Sequence, residues 1–146
     1  MNNLVLSLDL TNLETDIQNM ICWLEDKNEI KHICSKGLYL FRKKNTDEIL
    51  YIGVGGTKTK DIQFRVNQYY TPCNEGSKFF KCKVLEIEGD SVDIKWDIFK
   101  REHQKNWENI IQEFQVGVIP LKEYGSKELL YAEALAIGAF KPKLNF

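Results

Sequence analysis

No apolar run in this 146-residue chain approaches the roughly 20 residues of a membrane-spanning helix, so a helical membrane span is excluded. The opening "MNNLVLSLDL" has no cationic segment ahead of its apolar residues and does not read as a secretion signal, so a cytosolic protein is the expectation. Cysteine is scarce and unpatterned. The four, at positions 22, 34, 73 and 82, form no Cys-x-x-Cys pair and no zinc-finger spacing with His32 or His103. Neither a zinc site nor a disulfide framework is expected, and the thiols read as reduced and partly buried. Internal repeats, low-complexity tracts and linkers are also missing, which leaves one domain over residues 1–146.

Net charge is nearly absent as well, at −1, and taken alone this argues against a nucleic-acid partner. The distribution argues the other way. Residues 1–35 carry two Lys against six acids, and residues 84–146 carry eight Lys and Arg against eleven acids. Residues 36–83 carry ten Lys and Arg against four acids, a local excess of +6. Local fields steer polyanions more than the total does.

The basic segment contains "GLYLFRKKNTDEILYIG", residues 37–53. Two aliphatic and aromatic runs, Leu38-Tyr39-Leu40-Phe41 and Ile49-Leu50-Tyr51-Ile52, flank a polar break and read as a hairpin. A turn centred on Asn45, a residue that tolerates left-handed backbone, sets Tyr39 directly opposite Tyr51 with both phenols on one face.

Elsewhere Thr11 and Glu14 fit a capping box that opens an N-terminal helix, part of an extension over residues 1–35. A helix is expected from about Asp61 to Tyr70, ended by Pro72. Phe79 to Ile87 reads as a strand, and residues 91–114 as helical, with Ile94, Ile98, Phe99, Trp107, Ile110, Ile111 and Phe114 at helical spacing. "FQVGVIPL" reads as a further strand, and Ser126 as the cap of a last helix reaching about Phe140. The order implies an α+β fold: one small, mostly antiparallel sheet, made of the 37–53 hairpin and a later strand, flanked by helices.

The stretch Gly53-Val54-Gly55-Gly56-Thr57-Lys58-Thr59 fails as a phosphate loop, because Thr57 stands where glycine must precede the Lys-Thr pair. It fails as a dinucleotide fingerprint too, since the third glycine would fall on Lys58. It reads either as a loop that touches phosphate or as a plain connection. Glu133 has Leu129, Leu130, Ala136 and Ile137 at its i±3 and i±4 positions. A carboxylate on such a face loses hydration and calls for a metal, an Arg or a Lys. Arg65 and Tyr69, at i and i+4, share one helix face.

These pieces, in this order, resemble the GIY-YIG endonucleases. The resemblance rests on Gly37-Leu38-Tyr39, Tyr51-Ile52-Gly53, Arg65-Val66-Asn67-Gln68-Tyr69, Glu133 and Lys141-Pro142-Lys143-Leu144-Asn145. It covers residues 36–70 and 115–146 and is nearest to the nuclease domains of excision-repair subunits and of small restriction and homing enzymes. The basic residue that often follows Tyr-Ile-Gly is Val54 here, and Lys58 or Lys60 would supply that charge. Residues 72–114 form an insertion whose Trp96 and Trp107 are either core or a means of target recognition.

The resemblance implies hydrolysis of a DNA phosphodiester with one Mg²⁺ or Mn²⁺ ion. Glu133 would hold the metal, Arg65 would contact the scissile phosphate, and Tyr39 would accept the proton of the attacking water. Tyr51 would position water or phosphate, Asn145 would fix the helix end or a metal-bound water, and Tyr69, with Lys58 and Lys60, would contact DNA. Cutting both strands with one such site implies a homodimer. A module that binds nucleic acid without cutting it, or an α/β protein in which these residues are structural, fits the same residues.

Overall fold

The aromatic and aliphatic runs of the basic segment do pair. In the computed structural model, which describes residues 10–33, 35–70, 78–85 and 96–145, Gly37–Lys43 (β2) and Ile49–Gly55 (β3) form an antiparallel hairpin. Asn45 sits at its tip with φ of 66°, the left-handed backbone expected there. Phe114–Pro120 (β4) pairs along the other side of β2, and a two-residue strand, Cys22–Trp23 (β1), pairs with β4. Among the described residues the sheet is fully antiparallel in the order β1-β4-β2-β3, with β3 at its edge.

Helices cover both faces. Leu38, Leu40, Ile52 and Ile119 pack on one side with Ile17 of Leu10–Met20 (α1) and with Leu129 and Ala136 of Ser126–Phe140 (α6). On the other side Tyr39, Phe41, Val116 and Val118 meet Ile62, Val66 and Tyr69 of Ile62–Tyr70 (α2). Phe80 of Lys78–Val84 (α3), Phe99 of Trp96–Glu102 (α4) and Trp107 of Gln104–Ile110 (α5) complete that core. No helix among the described residues is long and apolar enough to cross a membrane.

Several expectations change. The run read as a strand from Phe79 is helical from Lys78 to Val84. A short apolar run does not distinguish the two, and Phe80 and Val84, four residues apart, face the same core at helical spacing. Thr11 lies within α1 rather than capping it. Within the N-terminal extension β1 joins the sheet, and Ile17, Leu24 and Ile30 are core. Cys22 is exposed, where a partly buried thiol was expected. The helix stop at Pro72, Ile94, Cys34 and Cys73 lie outside the described residues.

Helix ends are built locally. Asp61 caps α2, its Oδ1 accepting from the Phe64 N–H at 2.8 Å. Gly125, not Ser126, is the cap of α6, and its N–H donates to Glu128 Oε1 at 3.0 Å. The Ser126 hydroxyl is used elsewhere, donating to the Thr57 carbonyl. The loop after β3 is therefore anchored: its Gly56 N–H donates to the Lys60 carbonyl at 2.8 Å, and α6 holds its middle.

Candidate active site

The register of the hairpin decides how the tyrosines meet. Tyr39 pairs with Gly53 and Tyr51 with Phe41, so the two phenols are diagonal rather than directly opposite. Two one-residue offsets add: Arg42 pairs with Ile49, which centres the turn between Asn45 and Thr46 rather than on Asn45, and Phe41 then pairs with Tyr51, which leaves Leu50 as an extra, bulged residue. Leu50 and Tyr51 consequently pack on the same face, while Ile49 and Ile52 pack on the other. The shared face of the two phenols survives, with ring centroids 6.3 Å apart.

Gly53 makes the arrangement possible. A Cβ there would lie 2.2 Å from Cζ of Tyr39, so the phenol lies across the glycine of its partner strand. Gly55 is needed for a different reason, because a Cβ would lie 2.5 Å from the Ile62 backbone nitrogen at the start of α2. The close approach brings α2 onto the sheet and Tyr69 against both phenols, with centroids 5.8 Å from Tyr39 and 5.9 Å from Tyr51. The Tyr39 and Tyr69 hydroxyls are 3.0 Å apart in a buried hydrogen bond.

This burial changes two assignments. Tyr69, 3% exposed, is inside the cluster and offers no surface phenol for a DNA-backbone contact. Tyr39, 4% exposed, is pushed far above the ordinary phenol range, first by burial and then by Tyr51. The Tyr69 hydrogen bond and the Arg65 charge offset only part of that rise. Tyr69 is held well above its usual range too, by burial and then by Tyr39 and Tyr51. The rise works against the role of proton acceptor expected for Tyr39. Tyr51 is the partly exposed member of the three.

Arg65 reaches the same region from α2. Its Nε is buried and has no hydrogen-bond partner. Glu133 comes from α6, and loss of hydration raises its carboxyl above the usual range while Arg65 pulls it back down. Of its flanking apolar residues, Leu129 and Ala136 are buried, whereas Leu130 is 51% exposed, so Glu133 sits at the margin of the buried stripe. The ion pairs among the described residues join Arg42 to Asp47, Arg101 and His103 to Glu102, and Lys143 to Glu48. Arg65 and Glu133 feel one another without forming one.

Asn145 has another use than the one expected. Its Nδ2 donates to the Ile52 carbonyl and its Oδ1 accepts from the Ile52 N–H, both at 2.8 Å. The side chain therefore satisfies the open edge of β3 rather than a metal-bound water. The left-handed Lys141 (φ 48°) turns the chain there after α6, and the Leu144 N–H adds a bond to the Leu50 carbonyl. Lys58 and Lys60 are exposed on the anchored loop, with the Lys60 amine 5.2 Å from the Phe64 ring centre. Trp107 is fully buried and is core, while the side chain of Trp96 lies outside the described residues. Phe80 escaped sequence reasoning, since nothing separates it there from any other core aromatic.

No family model, no curated protein and no solved structure matches this chain.

Proposed function

We propose that the protein is a metal-dependent DNA endonuclease of the GIY-YIG type, acting in the cytoplasm. The reading is carried by one observation: Arg65 keeps a buried, unpartnered guanidinium nitrogen close to a partly desolvated Glu133, and the two charges do not pair. Opposite charges held apart in a poorly hydrated site leave room for what each would otherwise take from the other. A phosphate suits Arg65 and a cation suits Glu133.

The donor set fits a hard cation with few protein ligands. Among the described residues no three or more His, Cys, Asp and Glu side chains gather into a cage. A single carboxylate suits Mg²⁺ or Mn²⁺, which keep several waters. When bound, the ion supplies charge neutralisation at the phosphate and the leaving oxygen. Arg65 matches two phosphate oxygens with its planar fork. Tyr51, the partly exposed phenol, would first give its own proton to solvent and, as the phenolate, take the proton of the attacking water. Tyr39 and Tyr69, buried and hydrogen-bonded to one another, hold the phenol cluster in place. Lys58 and Lys60 steer the DNA backbone toward the site.

Nicking of supercoiled plasmid in Mg²⁺ by the wild-type protein, lost in Glu133→Gln, is the expected result. DNA binding with no nicking at any divalent-cation concentration would mark a binding module instead. Absence of both would leave these residues structural.

A further inference from the structure

The helices between the motif segments lie against the phenols. Phe80 of α3 has its ring centre 5.0 Å from Tyr51 and 4.9 Å from Tyr69, edge-on to both at 69° and 79°. Edge-to-face contact is the geometry in which the positive ring edge of one aromatic meets the negative face of another, and it fixes ring orientation as well as distance. Trp107 of α5 packs edge-on against Phe80 at 5.8 Å and 87°. Its indole Nε1–H donates to the Tyr69 carbonyl at 2.6 Å. That carbonyl lies in the last described turn of α2, and the indole gives it a donor from another helix. The indole thus holds the turn that carries Tyr69, and the Tyr69 hydroxyl holds that of Tyr39.

We propose that Phe80 and Trp107 are positioning residues for the phenol cluster. Phe80 aims Tyr51, and Trp107 fixes Tyr69 and, through it, Tyr39. These two residues of the insertion then serve the chemistry of the site rather than choice of target. Tyr51 and Tyr39 face Tyr69 from the sheet, Arg65 and Glu133 act on Tyr39 from α2 and α6, and Lys81 lies over Trp107. The catalytic consequence rests on the endonuclease reading; the positioning itself does not.

The test uses two variants that preserve bulk. Trp107→Phe keeps a ring and removes the N–H, and Phe80→Leu keeps apolar volume and removes the aromatic edge. Each is first shown by thermal melting to be folded at the assay temperature. We expect kcat for plasmid nicking to fall by at least about 10-fold with KM within about twofold, because small misplacements near a reacting centre cost rate more than binding. In DNA-free protein labelled at tyrosine Cζ, the Tyr69 resonance should move in Trp107→Phe and the Tyr51 resonance in Phe80→Leu. Folded variants with wild-type resonances and wild-type kcat would overturn the proposal. So would a fall in kcat with unmoved resonances, which a merely structural role predicts. If the wild-type protein does not nick DNA, the endonuclease reading fails separately, and the resonances alone decide the positioning.

Discussion

At the scale of single residues, the three tyrosines differ in burial far more than in type, and their roles should differ accordingly. Tyr51→Phe removes the proposed proton acceptor and should lower the nicking rate by roughly 10²–10⁴-fold. Tyr39→Phe keeps the ring across Gly53 and loses only the hydroxyl bond to Tyr69, so its loss should be smaller. Single-turnover rates on one plasmid substrate compare the two directly, and a larger loss in Tyr39→Phe would return the base role to that residue. Arg65→Lys tests the guanidinium. Lysine keeps the charge but cannot engage two phosphate oxygens at once, so the rate should fall well before DNA affinity does. A lysine variant cutting at the wild-type rate would place Arg65 outside the site.

At the scale of elements, the site depends on an edge strand that the chain itself closes. The amide of Asn145 completes the β3 ladder at Ile52 with one donated and one accepted bond. Asn145→Asp keeps the acceptor for the Ile52 N–H and turns an oxygen toward the Ile52 carbonyl. Loss of one bond with repulsion at the other should cost about 1–3 kcal/mol, read as a fall in melting temperature. An unchanged melting temperature would show that the strand edge does not need this lock. The hairpin was legible from its apolar runs and from Asn45, yet its register was not. A turn centred half a residue beyond Asn45 and a bulge at Leu50 together moved Tyr39 from Tyr51 to Gly53, and nothing in a run of Ile, Leu and Tyr marks which residue bulges. The strand expected at 79–87 failed likewise, because a short apolar run takes its form from the surface it packs against.

At the scale of the whole molecule, Glu133 ties stability to pH and, on the proposed reading, to metal. Its carboxyl is raised in the folded protein, so the folded state binds protons more tightly than the unfolded chain. The sign follows: the metal-free protein loses stability as pH rises from the ordinary carboxyl range through the raised value, and regains it on acidification. Glu133→Gln removes the titration. Relative to wild type it should gain stability across that window and stay at least as stable at neutral pH without metal. Mg²⁺ should raise the melting temperature of wild type, since a ligand of the folded state alone shifts the equilibrium, and should raise that of the Gln variant much less. Melts of both proteins across pH, with and without Mg²⁺, measure this. A Gln variant that is strongly destabilised without metal, and still cuts DNA, would rule Glu133 out as the metal ligand.

What the sequence determined by itself was local: two strand runs around an asparagine turn, the face shared by Arg65 and Tyr69, and a carboxylate placed among apolar residues on the last helix. Each follows from spacing along one element, where the period of strand or helix fixes which side chains share a face. Only the tertiary structure decided the rest. Whether Arg65 and Glu133 pair, which phenols are buried, where the Asn145 amide goes and what Phe80 and Trp107 touch depend on surfaces brought together from distant parts of the chain. Desolvation and aromatic contact act at a few ångströms between elements, and no spacing within one element encodes them.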